Sequence, residues 1–115
     1  MTMDELQQYC KSKNGVTESF PFDDTTLVYK VGNKMFGLVN IEPPFFINLK
    51  CDPEKAVELR EMHEQILPGY HMNKAHWNSV YFEDGLKTSL VKSLIDDSYN
   101  LIVAGLPKKV KKELE

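Results

Sequence analysis

The sequence predicts an α+β domain in two layers, an antiparallel sheet with helices packed largely on one face. Three observations lead there. Apolar residues recur at helical spacing in three stretches, β-branched and aromatic residues crowd into the stretches between them, and the β-like stretches meet at short turn signals. Connections that short make hairpins, since a parallel crossover needs a dozen or more residues. The expected order is α-β(3)-α-β(2)-α, in one domain spanning residues 1–115.

Each element has its own signal. Thr2 and Glu5 have capping-box spacing, and Met3, Leu6 and Cys10 follow at helical intervals until Asn14-Gly15, which predicts a helix over about 3–13. The stretch "VTESFPFDD" carries three acids and two phenylalanines around Pro21, and reads as an irregular acidic connection. Strands are expected at about 25–31, 34–41 and 45–50, divided by Gly32-Asn33, a pair that tolerates positive φ, and by Glu42-Pro43-Pro44. Asp52-Pro53 starts a helix of about 53–65 with Ala56, Leu59, Met62 and Ile66 as its inward stripe. "YHM" and "NSVYF" are β-like and flank "NKAHW", which predicts a second hairpin. Leu90, Val91, Leu94, Ile95, Leu101 and Ile102 define a helix of about 87–104, and "KKVKKELE" reads as a frayed extra turn.

Composition excludes several classes. A chain of 115 residues with 42% hydrophobic and 27% charged residues can bury a core without a metal or disulfide staple. Its apolar runs are far shorter than the ~20 residues of a membrane span, and "MTMDELQQYCKSK" lacks the basic-then-apolar order of a signal peptide, so the expected location is cytoplasmic. Cys10 and Cys51 form no CxxC pattern and are expected to be reduced packing residues. A net charge of −3 and a pI near 5.6 argue against a strongly basic nucleic-acid binder.

The candidate chemistries are sparse. His71 and His76 lie five apart across a turn with no third ligand marked, so no metal and no cofactor are expected. Cys51 with His71 or His76 would need an oxyanion hole and a group to orient the imidazole, and no enzymatic motif provides them. The pairs Asp23-Asp24 and Asp96-Asp97 read as solvated charges, His63 as part of a polar helix face, and no glycine-rich phosphate loop precedes a helix.

What remains is a set of positive and hydrogen-bonding groups on turns. Residues 26–50 net +2 and 70–82 net +1, whereas 17–25 and 51–69 each net −3, so positive charge collects on the hairpins. Lys30, Asn33 and Lys34 surround the first turn. Lys34 and Lys74 are suited to phosphates, Asn73 and His76 to phosphate or base edges, and Trp77 to stacking.

The block "HMNKAHWNSVYF" closely resembles the H-[LM]-N-K-x-H-W signature of the MmcQ/YjbR family of small bacterial proteins. The segments "ELQQYCKSKNGVTESFPF", "KMFGLV", "INLKCDPEKAVELRE" and "LIDDSYNLIVAGLPKK" extend the resemblance over nearly the full chain. It implies a two-layer α-β(3)-α-β(2)-α fold similar to that of type III secretion chaperones, and a DNA-binding protein of double-wing arrangement. The signature falls on His71, Asn73, Lys74, His76 and Trp77. Asn73 suits a left-handed turn position, and Trp77 can anchor the turn.

The leading expectation is therefore a monomeric, non-enzymatic domain that binds DNA through two hairpin turns, using Lys34, Asn73, Lys74, His76 and Trp77. Its main rival is a protein- or peptide-interaction module that presents a sheet face, which exposed apolar residues such as Phe45 or Tyr29 would favour. A third reading is a small-molecule or enzymatic pocket around Cys51, His71 and His76.

Overall fold

Thr2 and Glu5 close the capping box in the computed structural model, which describes residues 1–115. The Glu5 amide donates to Thr2 Oγ1 at 3.2 Å and the Thr2 amide donates to Glu5 Oε1 at 3.2 Å, satisfying amides that a helix start leaves without partners. Helix α1 runs Met3–Lys11 and buries Leu6 and Cys10. Gly15, at φ 72°, then turns the chain into the sheet.

Six strands follow, β1 (Val16–Ser19), β2 (Thr26–Val31), β3 (Lys34–Asn40), β4 (Phe46–Lys50), β5 (Ile66–Pro68) and β6 (Trp77–Val80). All pairings are antiparallel, in the order β1-β2-β3-β4-β6-β5. Gly32 and Asn33 join β2 to β3 with φ of 56° and 65°, the two positive values a tight primed turn requires. A bulge skips Phe36, because Tyr29 pairs with Gly37 while Lys30 pairs with Met35. The carbonyl of Phe36 instead accepts Ser98 Oγ–H at 2.6 Å, and Ser98 Oγ in turn accepts the Lys50 amide at 2.9 Å.

Helix α2 is Pro53–Met62, capped by Asp52 with proline in its first turn; α3 is Thr88–Ala104 and α4 is Lys108–Glu113. Alternation along the strands sends Leu27, Tyr29, Val31, Val39, Ile47 and Leu49 to one side. There they meet Leu6, Cys10, Ala56, Leu59, Val91, Leu94 and Ile95 of the helices. The opposite residues, including Val28, Leu38, Asn48 and Ser79 in one cross-strand row, form a helix-free face.

Four expectations shift. The acidic connection contains strand β1, whose residues beyond Val16 are exposed. A polar edge strand is held by backbone pairing and shows no hydrophobic alternation to read. The second helix stops at Met62, three residues early, because Ile66 must enter β5 opposite Val80. The partner of β6 is therefore Ile66–Pro68, and "YHM" lies in the turn between the two strands. Finally, the C-terminal tail is a docked helix, with Leu106 and Val110 against Gly32 and Leu114 against Gly15.

Candidate binding groove and the turn that walls it

The turn from Gly69 to Trp77 is held at every step. Gly69 N–H donates to the Trp77 carbonyl at 2.9 Å, so close that a Cβ at this position would lie 2.9 Å from that oxygen and 2.8 Å from Trp77 Cβ. Asn73 Oδ1 accepts the Ala75 amide at 2.9 Å, a side-chain turn of the kind asparagine favours, and its carbonyl accepts the amides of His76 and Trp77. The Lys74 ammonium donates to the Gly69 carbonyl at 3.0 Å, and Arg60 reaches from α2 to the Lys74 carbonyl at 2.9 Å. On the helix-free face the Ser79 hydroxyl donates to Asn48 Oδ1 and accepts the Tyr70 amide at 2.9 Å. Asn48 Nδ2 then donates to the Tyr70 carbonyl at 3.0 Å.

This scaffold carries Tyr70, His71 and Met72 over the open face of the sheet, where they wall a groove of about 470 Å³. Its floor is Thr26, Met35, Leu38, Asn40, Phe46 and Asn48, and Phe22 with Asp23 closes the far side. Phe22 is 64% exposed and Tyr70 59%, large values for aromatic side chains with no covering element. Tyr70 meets Phe46 edge-on at 6.0 Å between ring centres and lies 4.0 Å from the His71 ring. His71 is held at φ 61°, the left-handed position expected for Asn73. Thus the backbone strain sits on the residue that lines the groove.

Asp23 is the one Asp, Glu, Lys or Arg among the lining residues. Backbone amides of Thr25 and Thr26 donate to its Oδ1 at 3.0 and 2.7 Å, and the two threonine hydroxyls add further bonds at 3.3 and 3.2 Å. These donors hold its carboxyl below the ordinary carboxylate range.

The residues expected from the sequence divide across this geometry. His71 lines the groove; Asn73, Lys74, His76 and Trp77 build the turn behind it. His76 is exposed and Trp77 half-buried. Lys34 starts β3 and Trp77 starts β6, while Lys50, opposite Trp77, ends the intervening β4, so the two turns project from the same end of the sheet. They occupy different faces of it: Lys34 stands opposite Val31, on the helix side, whereas Tyr70–Met72 cover the open side. Tyr29 lies fully in the core and Phe45 is half-buried against that core; the exposed large apolar side chains are Phe20, Phe22, Leu67 and Tyr70, together with Val57 and Met62 of α2 and Leu101 of α3.

The cysteine readings also resolve. Cys10 and Cys51 are buried free thiols; burial pushes Cys10 up to about 12 and raises Cys51 as well. No three His, Cys, Asp or Glu side chains are grouped to hold a metal ion, and no helix is long and apolar enough to cross a membrane.

Comparison with known proteins places this arrangement. The YjbR family model matches residues 11–101. The chain is 38% identical over 115 residues to the uncharacterized protein YjbR of Escherichia coli K12, covering 99% of this chain and 98% of the relative. It is 43% identical over 96 residues to the uncharacterized YbdF of Escherichia coli O157:H7, covering 83% and 79%. Among solved structures, Deinococcus radiodurans protein DR2400 superposes with a TM-score of 0.90 at 41% identity, over 98% of this chain and 87% of that one. A protein from Pseudomonas syringae gives 0.77 at 27% identity, over 89% and 99%.

Proposed function

The chain belongs to the YjbR family, and from that premise we propose that it is a non-enzymatic binding domain whose open-face groove takes an extended apolar segment of a partner protein. Membership accounts for the fold, and the site has to supply the function. The single observation behind this reading is the groove, with Met35, Leu38 and Phe46 on its floor and exposed rings on a turn that five side chains hold in place. A site of that size suits one or two bulky side chains, and each of them buried there gains roughly 1.5–3 kcal/mol. Phe20 and Leu67, both 46% exposed, add apolar surface beyond the lining, which favours a chain segment over a small isolated molecule. The buried thiols, displaced away from reactivity, support the absence of cysteine chemistry.

The test is a screen of labelled peptides by fluorescence anisotropy. Peptides with paired aromatic or aliphatic residues should bind, and Phe22→Ala or Tyr70→Ala should weaken binding at least fivefold with unchanged circular dichroism. Equal binding by the Tyr70→Ala protein would remove the groove from the account.

DNA binding through Lys34, Asn73, Lys74, His76 and Trp77 is a second reading, supported by the common end of the sheet from which both turns project. The Lys74 ammonium is engaged with the Gly69 carbonyl, so Lys34 would bear most of the phosphate contact. Anisotropy with duplex DNA at low salt should then fall with added salt and with Lys34→Ala. No change on either treatment would end this reading.

A further inference from the structure

Resting on the groove reading above, we propose that the bound segment carries a lysine or arginine beside its apolar residues, and that Asp23 receives that charge. Two observations on Asp23 carry the charge assignment, and the rest of the lining agrees with it. Asp23 is the sole formal charge on the lining, and no lysine or arginine of the chain pairs with it, since the ion pairs are Lys11–Glu18, Lys13–Asp96 and Lys55–Asp97. Its donors crowd one oxygen: Oδ1 accepts the two amides and the Thr25 hydroxyl, whereas Oδ2 accepts the Thr26 hydroxyl alone at 3.2 Å. A carboxylate has about four acceptor positions, so Oδ2 retains capacity for an incoming ammonium or guanidinium.

The remaining lining suits the same ligand. Phe22, Phe46 and Tyr70 supply aromatic rings to the lining, and Met35 and Met72 add polarisable sulfur. Aromatic faces attract cations, and thioethers adapt to irregular apolar side chains, so one site can accept both the stem and the head of a basic residue. Charge on the surrounding chain agrees in sign. Residues 17–25, which carry Asp23 to the rim, net −3, and no basic side chain lines the groove to oppose the ligand.

Asp23 also shapes the start of β2, because its bonds to Thr25 and Thr26 form a turn. Asparagine keeps an oxygen acceptor for those amides and removes the charge, so Asp23→Asn separates the two roles. The experiment uses the full chain with three fluorescein-labelled pentapeptides, Gly-Phe-Lys-Leu-Gly and its counterparts with norleucine or glutamate in place of lysine. The lysine peptide should bind about fivefold tighter than the norleucine peptide, the upper range for a solvent-exposed charge pair, and the glutamate peptide weakest. Asp23→Asn should abolish that ranking, bringing the lysine, norleucine and glutamate peptides to similar affinity. Equal affinity of the wild-type chain for lysine and norleucine peptides would overturn the charge assignment and leave the groove standing. Lysine preference that survives Asp23→Asn would overturn it too, and binding of none of the three would remove the groove reading itself.

Discussion

His71 shows how a single backbone angle separates the jobs within the turn. A non-glycine residue at φ 61° costs about 1–2 kcal/mol, and the neighbouring bonds of Asn48, Ser79 and Asn73 hold it there. Replacement by glycine removes that strain, so His71→Gly is expected to change the urea-unfolding free energy by no more than about 1 kcal/mol, in the stabilising direction, while weakening peptide binding. A loss of stability larger than that would mean that the ring's contact with Tyr70 outweighs the strain. The two thiols allow a second measurement. With both buried and both raised, neither Cys10 nor Cys51 should react with a chromogenic disulfide at neutral pH until denaturant is added. At this scale the sequence singled out the turn and gave its left-handed position to Asn73, where His71 takes it. The histidine-to-tryptophan block stood out by composition, but which residue adopts the left-handed position depends on strands on both sides. Phe22 and Asp23 were visible only as part of an acidic loop, because nothing local shows that the loop reaches across to Tyr70.

Among the elements, α3 and α4 contribute most beyond their apolar stripes. Ser98 of α3 satisfies the Phe36 carbonyl, left unpaired by the bulge, and takes the Lys50 amide with the same hydroxyl. Ser98→Ala would orphan both groups in the interior, at a cost of about 1–3 kcal/mol in chemical denaturation. A smaller loss would indicate that water reaches the bulge. Gly32 has a related role at the hairpin tip. At φ 56°, with a Cβ 2.6 Å from Leu106 Cδ1, Gly32→Ala should cost about 1–2 kcal/mol from backbone strain and speed amide exchange in α4 ahead of α3. Uniform exchange would show that α4 is held elsewhere. The hairpin and the three long helices were legible because each has its own local signal, positive-φ residues in one case and a 3.6-residue stripe in the others. β1 and β5 were not, since one has a single half-buried residue and the other is three residues long. The tail looked frayed for a similar reason: its two anchors, Val110 and Leu114, lie among lysines and glutamates.

At the scale of the whole molecule, the helices are tied to one another by charge as well as by the core. Asp96 of α3 accepts Tyr9 Oη–H at 2.7 Å and pairs with Lys13 at 2.5 Å, linking α1 to α3. Burial raises the Asp96 carboxyl, but the bonds from Lys13 and Tyr9 more than offset it, and it titrates below its ordinary value. A carboxyl lowered in the folded state stabilises that state above its unfolded pKa of about 4, and the contribution fades as pH falls through the folded value. Asp96→Asn should therefore flatten the acid limb of stability against pH, measured as urea midpoints, and a limb of unchanged slope would assign acid sensitivity to other carboxylates. The overall layering was readable from the order of elements, whereas the groove was not, because its walls, Phe22 with Asp23 and Tyr70 to Met72, lie far apart in the chain. The sheet's two margins differ in one further respect. On the β5 side the last strand is three residues long and ends in Pro68, which has no amide hydrogen to offer, while β1 leaves a four-residue margin with its backbone outward. A strand added to this sheet would therefore find its longer run of outward amides and carbonyls at β1.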